Sequence, residues 1–346
     1  MQYLITGGAG FIGSHLSDAL IERGDEVHVL DNLSTGQFEN VQHLADHERF
    51  TLTVGNVLDY RTLEQCVVQC DCIVHLAAAV GVRLIMERPV GTIQANIGGT
   101  ENVLQLAHYH DKKVLVASTS EVYGKAMQKN GSPSALSEED DWTLGPTGKR
   151  RWAYACSKAM DEFLAQAYHD EHAVPVVCAR FFNTVGPRQS GRYGMVIPTF
   201  VERALADESI EVHGDGTQTR CFMHVTDAIE AILGLLDTPD AVGEVVNVGR
   251  PDEISINELA QRVIEHTGSA SEIEHIPYEE VYGPGFEDMK RRTPDISKLQ
   301  SLIDFVPTNS TDDILRDVVA YSKEEEASGA SPSVMNGVAV EALSST

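Results

Sequence analysis

The segment Tyr154-Ala-Cys-Ser-Lys158 contains the pair of side chains in this chain that is best suited to acid–base chemistry. It is predicted to lie at the start of a helix, where residues i and i+4 share one face. An ammonium group beside a phenol stabilises the phenolate and therefore lowers the tyrosine pKa from about 10. We predict that Tyr154 is a general base usable near neutral pH and that Lys158 assists it.

A second polar cluster, Ser118–Gly124, directly follows the predicted strand Val114–Ala117. Thr119 can donate a hydrogen bond to a reacting hydroxyl or accept one from it. Glu121 is either a further acid–base group or a structural carboxylate that caps a helix or loop. Ligands bind at the carboxyl ends of parallel strands, so we predict that this cluster faces the reacting group.

The first residues of the chain predict a dinucleotide site. The apolar strand Tyr3–Ile5 runs into Gly7, Gly10 and Gly13, and an amphipathic helix follows. Glycine permits a tight turn and close approach to a pyrophosphate, which the helix N-terminus also attracts. Asp31 ends the next strand, where an acidic group holds the ribose hydroxyls and repels a 2′-phosphate. The predicted cofactor is therefore NAD rather than NADP, and a plain strand–helix turn is the alternative.

Alternating strands and helices are predicted to bring these residues together. The predicted strands are Thr51–Val57, Cys72–Ala79, Val114–Ala117 and Val174–Ala179, and the helices between them are Phe11–Glu22, Tyr60–Gln69, Thr92–His110 and Tyr154–His172. This pattern predicts an α/β fold with a Rossmann-type, doubly wound parallel sheet. The carboxyl ends of its strands would then share one edge, where ligands bind.

After about residue 182 the pattern changes, which predicts a smaller and discontinuous substrate domain. Segment 183–224 mixes loops with a helix near Ile197–Ala206 and a strand at Ile210–His213. The pair Asp227–Leu236 and Val245–Val248 predicts a return to the sheet. We therefore predict a nucleotide-binding domain at 1–182 plus about 225–249, and a substrate domain at 183–224 and 250–323.

Two local signals complete this outline. Ser255-Ile-Asn-Glu258 is a capping-box sequence, and it predicts a helix that ends at Gly268. The tail from Glu324 to Thr346 is rich in Ser, Ala and Glu and lacks hydrophobic periodicity, so we predict that it is disordered.

Composition excludes several classes of function. The net charge of −26 argues against nucleic acid as a partner, because phosphate binding needs a basic surface. No apolar run is long enough to span a membrane, and the first strand begins at Gln2, without room for a signal peptide. The six cysteines lack zinc-ligand spacing, so we expect a cytoplasmic protein without disulfides. The acidic surface suits either adaptation to salt or solubility through net charge.

These motifs together resemble those of the extended short-chain dehydrogenase/reductases, in the NAD-dependent nucleotide-sugar epimerase/dehydratase family. The resemblance covers about residues 1–320. Its stretches are Gly7–Gly13, Asp31-Asn32, His75-Leu-Ala-Ala78, the trio Thr119/Tyr154/Lys158, Arg180-Phe-Phe-Asn183, Gly186-Pro-Arg188, Gly214-Asp-Gly-Thr-Gln-Thr-Arg220 and Arg291-Arg-Thr-Pro-Asp295.

The resemblance implies further binding residues. Those implied for NAD are Gly7, Gly10, Phe11, Ile12, Gly13, Asp31, Asn32, Asn56, Val57, Leu76, Ala77, Ala78, Asn96, Tyr154 and Lys158. Many members have Asp in place of Asn56. The residues implied for the phosphates of a nucleotide sugar are Asn183, Arg220 and Arg292, in keeping with the forked contacts that arginine makes to phosphate.

The family also implies the first chemical step, which is oxidation at sugar C4 with Tyr154 as base and NAD as hydride acceptor. Dehydratases then use an Asp-Glu pair after the threonine, whereas this chain has Ser120-Glu121. Decarboxylases of UDP-glucuronate carry a Thr-Ser-Glu run like Thr119-Ser-Glu121, and an Arg-x-Pro-Asp stretch near the C-terminus. Epimerases instead return the hydride to the other face of the sugar.

Two segments favour epimerisation. The loop Gly186–Met195 and the insert Gly145–Tyr154 resemble a subgroup of UDP-glucose or UDP-glucuronate 4-epimerases, and Arg192 in that loop is placed to meet a substrate carboxylate. We therefore predict C4 epimerisation of one of these UDP-sugars, with decarboxylation of UDP-glucuronate as the alternative. A non-catalytic NAD-binding sensor or scaffold is a further alternative, against which the intact catalytic trio argues.

The remaining expectations concern metal and assembly. The pairs His108-Tyr-His110 and His169-Asp-Glu-His172 suit solvated helix faces better than a metal site, and the chemistry needs no metal. Members of the family usually form dimers through a four-helix bundle, here Thr92–His110 and Tyr154–His172 from each chain. The resemblance therefore implies a homodimer.

Overall fold

A computed structural model describes residues 1–80, 89–125, 135–149, 152–191, 194–282 and 291–327. Its strands are β1 (Gln2–Thr6), β2 (Glu26–Asp31), β3 (Phe50–Val54), β4 (Cys72–His75), β5 (Lys113–Thr119), β6 (Val176–Phe181), β7 (Thr184–Val185), β8 (Ile210–His213), β9 (Thr219–Cys221), β10 (Met223–His224), β11 (Val245–Val248), β12 (Glu253–Ser255) and β13 (Ile273–Ile276). Its α-helices are α1 (Phe11–Arg23), α2 (Tyr60–Gln69), α3 (Pro89–Ile93), α4 (Gly99–Tyr109), α5 (Trp152–His172), α6 (Val196–Leu205), α7 (Val225–Asp237), α8 (Ile256–Thr267), α9 (Tyr278–Tyr282), α10 (Ser297–Ile303) and α11 (Thr311–Ala327).

The central sheet has seven strands in the order β11-β6-β5-β4-β1-β2-β3, and all neighbouring pairs are parallel. The chain moves outward from β1 to β3 and then returns to β4 on the other side of β1. The strand order therefore reverses between β1 and β4, which is where open parallel sheets bind ligands. The predicted α/β class and doubly wound sheet are confirmed.

Both faces of this sheet are covered, so its central strands β1, β4 and β6 are buried along most of their length. In β1, Tyr3 and Ile5 pack with Leu16 of α1 on one face, while Leu4 packs with Leu63 of α2 on the other. This alternation explains why the short apolar run at the start of the chain is a buried strand.

Several boundaries differ from the sequence predictions. Strand β4 ends at His75 rather than at Ala79, and the residues after it form an irregular segment. The predicted helix Thr92–His110 is divided by a π-helical turn, Gln94–Gly98, between α3 and α4. The disorder predicted from Glu324 is wrong for 324–327, because α11 continues to Ala327, and the rest of the tail lies outside the described residues.

A separate apolar cluster lies in the second half of the chain. It joins Phe200 of α6, Ile210 of β8, Leu259 of α8 and Leu315 of α11. Helix α8 begins as predicted, since Ser255 Oγ accepts from the backbone N–H of Glu258 at 3.1 Å. We propose that this cluster is the core of the predicted substrate domain at 183–224 and 250–323, while β11 returns to the main sheet.

Two further observations concern the chain as a whole. All six cysteines are free thiols, and only Cys156 is exposed. Within the described ranges, no helix has the length and apolar character needed to cross a bilayer. The cytoplasmic location stays a prediction.

Candidate active site

A cleft of about 710 Å³ runs along the carboxyl ends of the sheet strands. It brings together most of the residues selected from the sequence. The cofactor candidates that line it are Gly7, Gly10, Phe11, Ile12, Gly13, Asp31, Asn32, Asn56, Val57, Leu76, Ala77, Ala78, Tyr154 and Lys158. Thr119, Ser120, Glu121, Asn183, Arg220 and Arg292 line the same cleft. Arg192 lies outside the described residues.

The glycine turn has no room for side chains at two positions. Gly7 has φ +75°, and a Cβ there would lie 2.8 Å from the backbone nitrogen of Ala77. A Cβ on Gly13 would lie 2.5 Å from the carbonyl oxygen of Gly7. At Gly10 the nearest atom would be 3.1 Å away, and no side chain caps helix α1 at this residue. The first amides of α1 therefore face the cleft and suit an anionic pyrophosphate.

Asp31 is buried at the end of β2, beside this turn. Its Oδ2 accepts from the backbone N–H of Ala9 at 3.0 Å, and its Oδ1 accepts from that of Leu33 at 2.8 Å. Burial raises the pKa of Asp31, and these two amides oppose the rise. Each carboxylate oxygen has a further lone pair, so Asp31 can still accept hydrogen bonds from ribose hydroxyls.

Of the two asparagines predicted to bind the cofactor, Asn56 lines the cleft and Asn96 does not. Asn56 is exposed at its wall, where its Oδ1 accepts from the backbone N–H of Leu58. Asn96 is fully buried behind the wall. Its Oδ1 accepts from the N–H of Ala79 at 2.9 Å, and its Nδ2 donates to Ser157 Oγ at 3.0 Å. Asn96 therefore ties helix α5 to the segment after β4.

The environment of Tyr154 differs from the sequence prediction. Burial raises the pKa of Tyr154, the charges of Glu121 and Asp161 raise it further, and a hydrogen bond with Thr119 opposes these effects. The Lys158 ammonium donates to Asp161 Oδ2 at 2.7 Å, and both side chains are buried. The predicted lowering of the Tyr154 pKa by Lys158 is therefore wrong for the chain by itself, because Asp161 neutralises the ammonium charge.

Arg292 also differs from its predicted role as a phosphate clamp. Its Nη2 donates to Glu121 Oε1 at 2.7 Å, its Nη1 lies 3.3 Å from Ser120 Oγ, and the guanidinium is buried. The backbone positions Glu121 on a 3₁₀ turn, where its N–H donates to Thr119 Oγ1 at 3.2 Å. The structure therefore joins Arg292 to the catalytic cluster after β5.

The other predicted substrate residues, Asn183 and Arg220, line the same cleft. Asn183 Nδ2 donates to the carbonyl oxygen of Cys221 at 2.9 Å, and Arg220 Nη1 donates to that of Thr219 at 2.8 Å. Both contacts are to backbone, which fixes the side chains at the cleft wall. We propose that both residues bind the phosphates of the substrate.

Sequence reasoning missed two residues. Asp161 carries no signal beyond its position three residues after Lys158. Arg188 ends the stretch Gly186-Pro-Arg188, and the family resemblance implies no specific role for it. It has φ +67°, lines the cleft and pairs with Asp18 of α1 at 2.7 Å. A left-handed arginine is uncommon, and such strain concentrates at functional sites.

One histidine from each of the two sequence pairs takes part in a ring contact. The rings of His108 and His172 lie 4.5 Å apart, between α4 and α5. Among the residues the structure describes, no group of three or more His, Cys, Asp or Glu side chains could hold a metal ion.

The chain matches the NAD dependent epimerase/dehydratase family over residues 3–249. It belongs to this family. It is 42% identical to a UDP-N-acetyl-alpha-D-glucosaminuronate decarboxylase of Bacillus cytotoxicus, over 93% of this chain and 98% of that protein. It is 35% identical to UDP-glucuronic acid decarboxylase 1 of Danio rerio, over 94% and 73% of the two chains.

Among solved structures, the UDP-glucuronic acid 4-epimerase from Bacillus cereus in complex with UDP-glucuronic acid and NAD is similar. It superposes with a TM-score of 0.82 at 30% identity, over 94% of this chain and 99% of that one. The predicted family and the predicted cofactor, NAD, are both confirmed. The chain is an enzyme of this family.

Proposed function

We propose that this enzyme decarboxylates a UDP-hexuronate through oxidation and re-reduction at C4. The observation that carries the proposal is the ion pair of the buried Arg292 guanidinium with the partly buried Glu121 carboxylate beside Ser120, in the same cleft as Tyr154 and Thr119. The decarboxylases to which the chain is 35–42% identical support it. The predicted 4-epimerisation is retained as the second candidate.

The cofactor would be held by the residues described above. The glycine turn and the N-terminus of α1 would bind the pyrophosphate, and Asp31 would bind the adenosine ribose. When bound, NAD supplies a hydride acceptor that oxidises C4 and later returns the hydride. The residues at the cleft wall exclude NADP, because the Asp31 carboxylate repels a 2′-phosphate.

In the first step Tyr154 removes the proton of the C4 hydroxyl. Thr119 opposes the rise in the Tyr154 pKa and lines the same cleft, so both residues are available to the reacting hydroxyl. Lys158 lines the same wall and can contribute donors to the cofactor ribose. The product of this step is a 4-keto hexuronate, which is a β-keto acid.

In the second step the C5–C6 bond breaks and carbon dioxide leaves. Its electron pair enters the enolate formed by C5, C4 and O4, and one proton from solvent is then added at C5. Return of the hydride to C4 and of the Tyr154 proton to O4 completes the cycle. The net change is one carboxylate plus one proton converted into carbon dioxide and a C–H bond.

The Arg292–Glu121 pair supports decarboxylation as the fate of the 4-keto intermediate. Glu121 and Ser120 follow Thr119 directly, so the substituent at C5 is the part of the sugar best placed to reach them. A substrate carboxylate there meets Arg292 but also the like charge of Glu121. Loss of neutral carbon dioxide removes that repulsion, whereas an epimerase must retain the carboxylate.

Product mass tests this proposal directly. We expect UDP-N-acetylglucosaminuronate or UDP-glucuronate to lose the mass of one carbon dioxide, and UDP-glucose to be left without such a loss. The Tyr154→Phe variant is the control for a contaminating activity. A product of unchanged mass with inverted C4 would overturn decarboxylation and establish the 4-epimerase.

We also propose a homodimer. Helices α3 and α5 pack together, and both expose apolar side chains: Val90, Ile93, Met160 and Phe163. Ile93, Met160 and Phe163 lie within the ranges that the family resemblance assigned to a four-helix bundle, and Val90 lies just before Thr92, where the first range begins. A second copy of this chain would cover them.

A further inference from the structure

Behind the catalytic lysine lies a buried carboxylate that the proposed reaction does not use. Asp161 is fully buried in α5, and its Oδ2 lies 2.7 Å from Lys158 Nζ. Taking an ammonium group out of water costs free energy unless a counter-charge pairs it. Asp161 supplies that charge from a fully buried position in α5.

Asp161 is itself held by a chain of buried polar groups. Burial raises the pKa of Asp161, and the nearby Thr100 hydroxyl opposes this rise. Asp161 Oδ1 is buried without a hydrogen-bond partner among the described residues, so it is the oxygen still open to a donor. Thr100 Oγ1 is 3.2 Å from His75 Nε2, and His75 Nδ1 is 2.7 Å from Thr6 Oγ1. The backbone N–H of Ala77 donates to Thr6 Oγ1 at 3.4 Å.

The direction of the hydrogen bonds in this chain follows from chemistry. An ionised carboxylate only accepts, so the hydroxyl hydrogen of Thr100 is the one that can turn toward Asp161, while the Thr100 oxygen accepts from His75 Nε2–H. His75 Nδ1 must then accept from the Thr6 hydroxyl. Burial and the Lys158 charge lower the pKa of His75 to about 3, so the imidazole is neutral, as this arrangement requires. Every bond therefore points toward Asp161.

We propose that Asp161 is a positioning residue for Lys158, fixed in place by the Thr6–His75–Thr100 chain. One N–H of the ammonium is donated to Asp161, which leaves the other two for acceptors in the cleft that Lys158 lines. The hydrogen-bond chain starts at the end of β1 and at the segment after β4, and these two segments also line the proposed cofactor site. It therefore aligns the lysine with the cofactor site. This inference rests on the proposed roles of Tyr154 and Lys158.

Asp161 also affects the strength of the base. The charged groups that face Tyr154 are Glu121, which is paired with Arg292, and Asp161, which is paired with Lys158. Glu162, next to Asp161, is paired with Arg180 on the other side of α5. Removing the Asp161 charge leaves the Lys158 ammonium without its counter-ion, so the Tyr154 phenolate becomes easier to form.

The test compares Asp161→Asn with Thr100→Val in the full-length enzyme. Titration of tyrosinate absorbance, with Tyr154→Phe subtracted, reports Tyr154 without any substrate. In Asp161→Asn we expect the Tyr154 titration to move to lower pH and NAD to be retained less well. We expect kcat to fall by about 10–100-fold, which is the effect of losing a residue that orients a metal ligand. Thr100→Val should act in the same direction and more weakly. The double variant should be no worse than Asp161→Asn, because both act through one chain.

Asp227→Asn is the matched control, since Asp227 is also buried and accepts from Thr308 and Asn309 far from this chain. It should lose stability without moving the Tyr154 titration. An unchanged titration and kcat in Asp161→Asn, or additive effects of the two variants, would overturn the inference. If Asp161→Asn fails to fold, the Thr100→Val titration decides. An active Tyr154→Phe enzyme would instead contradict the proposed function. That result does not depend on the titration, which is done without substrate.

Discussion

Glu121 and Arg292 are separated by 171 positions, yet their side chains form a partly buried ion pair with an Nη2–Oε1 distance of 2.7 Å. Glu121 stands on the turn after β5, and Arg292 comes from the segment that precedes α10. The pair therefore links the catalytic edge of the sheet to the C-terminal part of the chain. A substrate carboxylate that reaches Arg292 has to compete with Glu121.

Replacement of Arg292 tests this pair. In Arg292→Met the partly exposed Glu121 carboxylate loses this partner, so we expect a loss of stability of about 1–3 kcal/mol, less than for a fully buried ion pair. Decarboxylation should fall by about 10²–10⁴, measured as carbon dioxide released per enzyme, if the pair handles the carboxylate and the C5 proton. Arg292→Lys keeps the positive charge but not the forked guanidinium. Compared with Arg292→Met, we expect it to recover more of the stability than of the activity.

The neighbouring Arg291 provides the matched control. Arg291 is more exposed and pairs with Glu253 on the surface, through Nε at 2.7 Å. Arg291→Met should change stability by about 1 kcal/mol or less and leave product formation intact. Equal losses of activity in the two methionine variants would remove Arg292 from the site.

Tyr154→Phe is expected to abolish the oxidation of C4 and to leave NAD bound. Loss of one acid–base group costs about 10²–10⁴ in rate. The measurement is single-turnover absorbance of reduced cofactor after addition of the UDP-hexuronate, together with the NAD content of the purified protein. Wild-type turnover by this variant would contradict the assignment of the base.

The sequence was sufficient for the sheet and for most of the cleft wall, because local patterns determine both. The glycine turn, Asp31 and the Tyr154/Lys158 pair each depend on residues close together in the chain. Their positions at the strand ends follow from the parallel topology. The structure bears this out for the fold and places these residues in one cleft.

Pairings between distant residues could not be derived in this way. Nothing in the run Arg291-Arg-Thr-Pro-Asp295 indicates that Arg292 meets Glu121 while Arg291 meets Glu253. Similarly, Asp161 is one of several acidic residues on a helix, and only its burial beside Lys158 distinguishes it. The charge balance around Tyr154 was mispredicted for this reason.

Asp31 is expected to give NAD binding a dependence on pH. Burial raises the pKa of Asp31, so its carboxylate is protonated at a higher pH than an ordinary aspartate. The ionised form accepts the ribose hydroxyls, and this contribution is therefore lost as pH falls through the raised pKa. The ratio of NAD affinities of the wild type and Asp31→Asn, measured by calorimetry, should be largest near neutral pH and shrink on acidification.

The same residue is expected to set the choice of cofactor. Asp31→Ala should weaken NAD and reduce the discrimination against NADP, because the carboxylate that repels the 2′-phosphate is gone. Competition binding of the two dinucleotides measures this directly. Equal affinity of the wild type for both would contradict the role of Asp31.

The last prediction concerns assembly through α3 and α5. Phe163 is 58% exposed and Met160 is 49% exposed on α5, which is unusual for a helix that also carries the catalytic residues on its buried face. If a second copy covers this face, Phe163→Asp places a charge in an apolar interface and should weaken the dimer by about 2 kcal/mol or more. Sedimentation velocity would then report a monomer at micromolar concentration. Val306→Asp is the control, because Val306 is 63% exposed on a different part of the surface and should leave the dimer intact. A wild-type chain that sediments as a monomer would exclude the dimer, and a dimer that survives Phe163→Asp would move the interface away from α5.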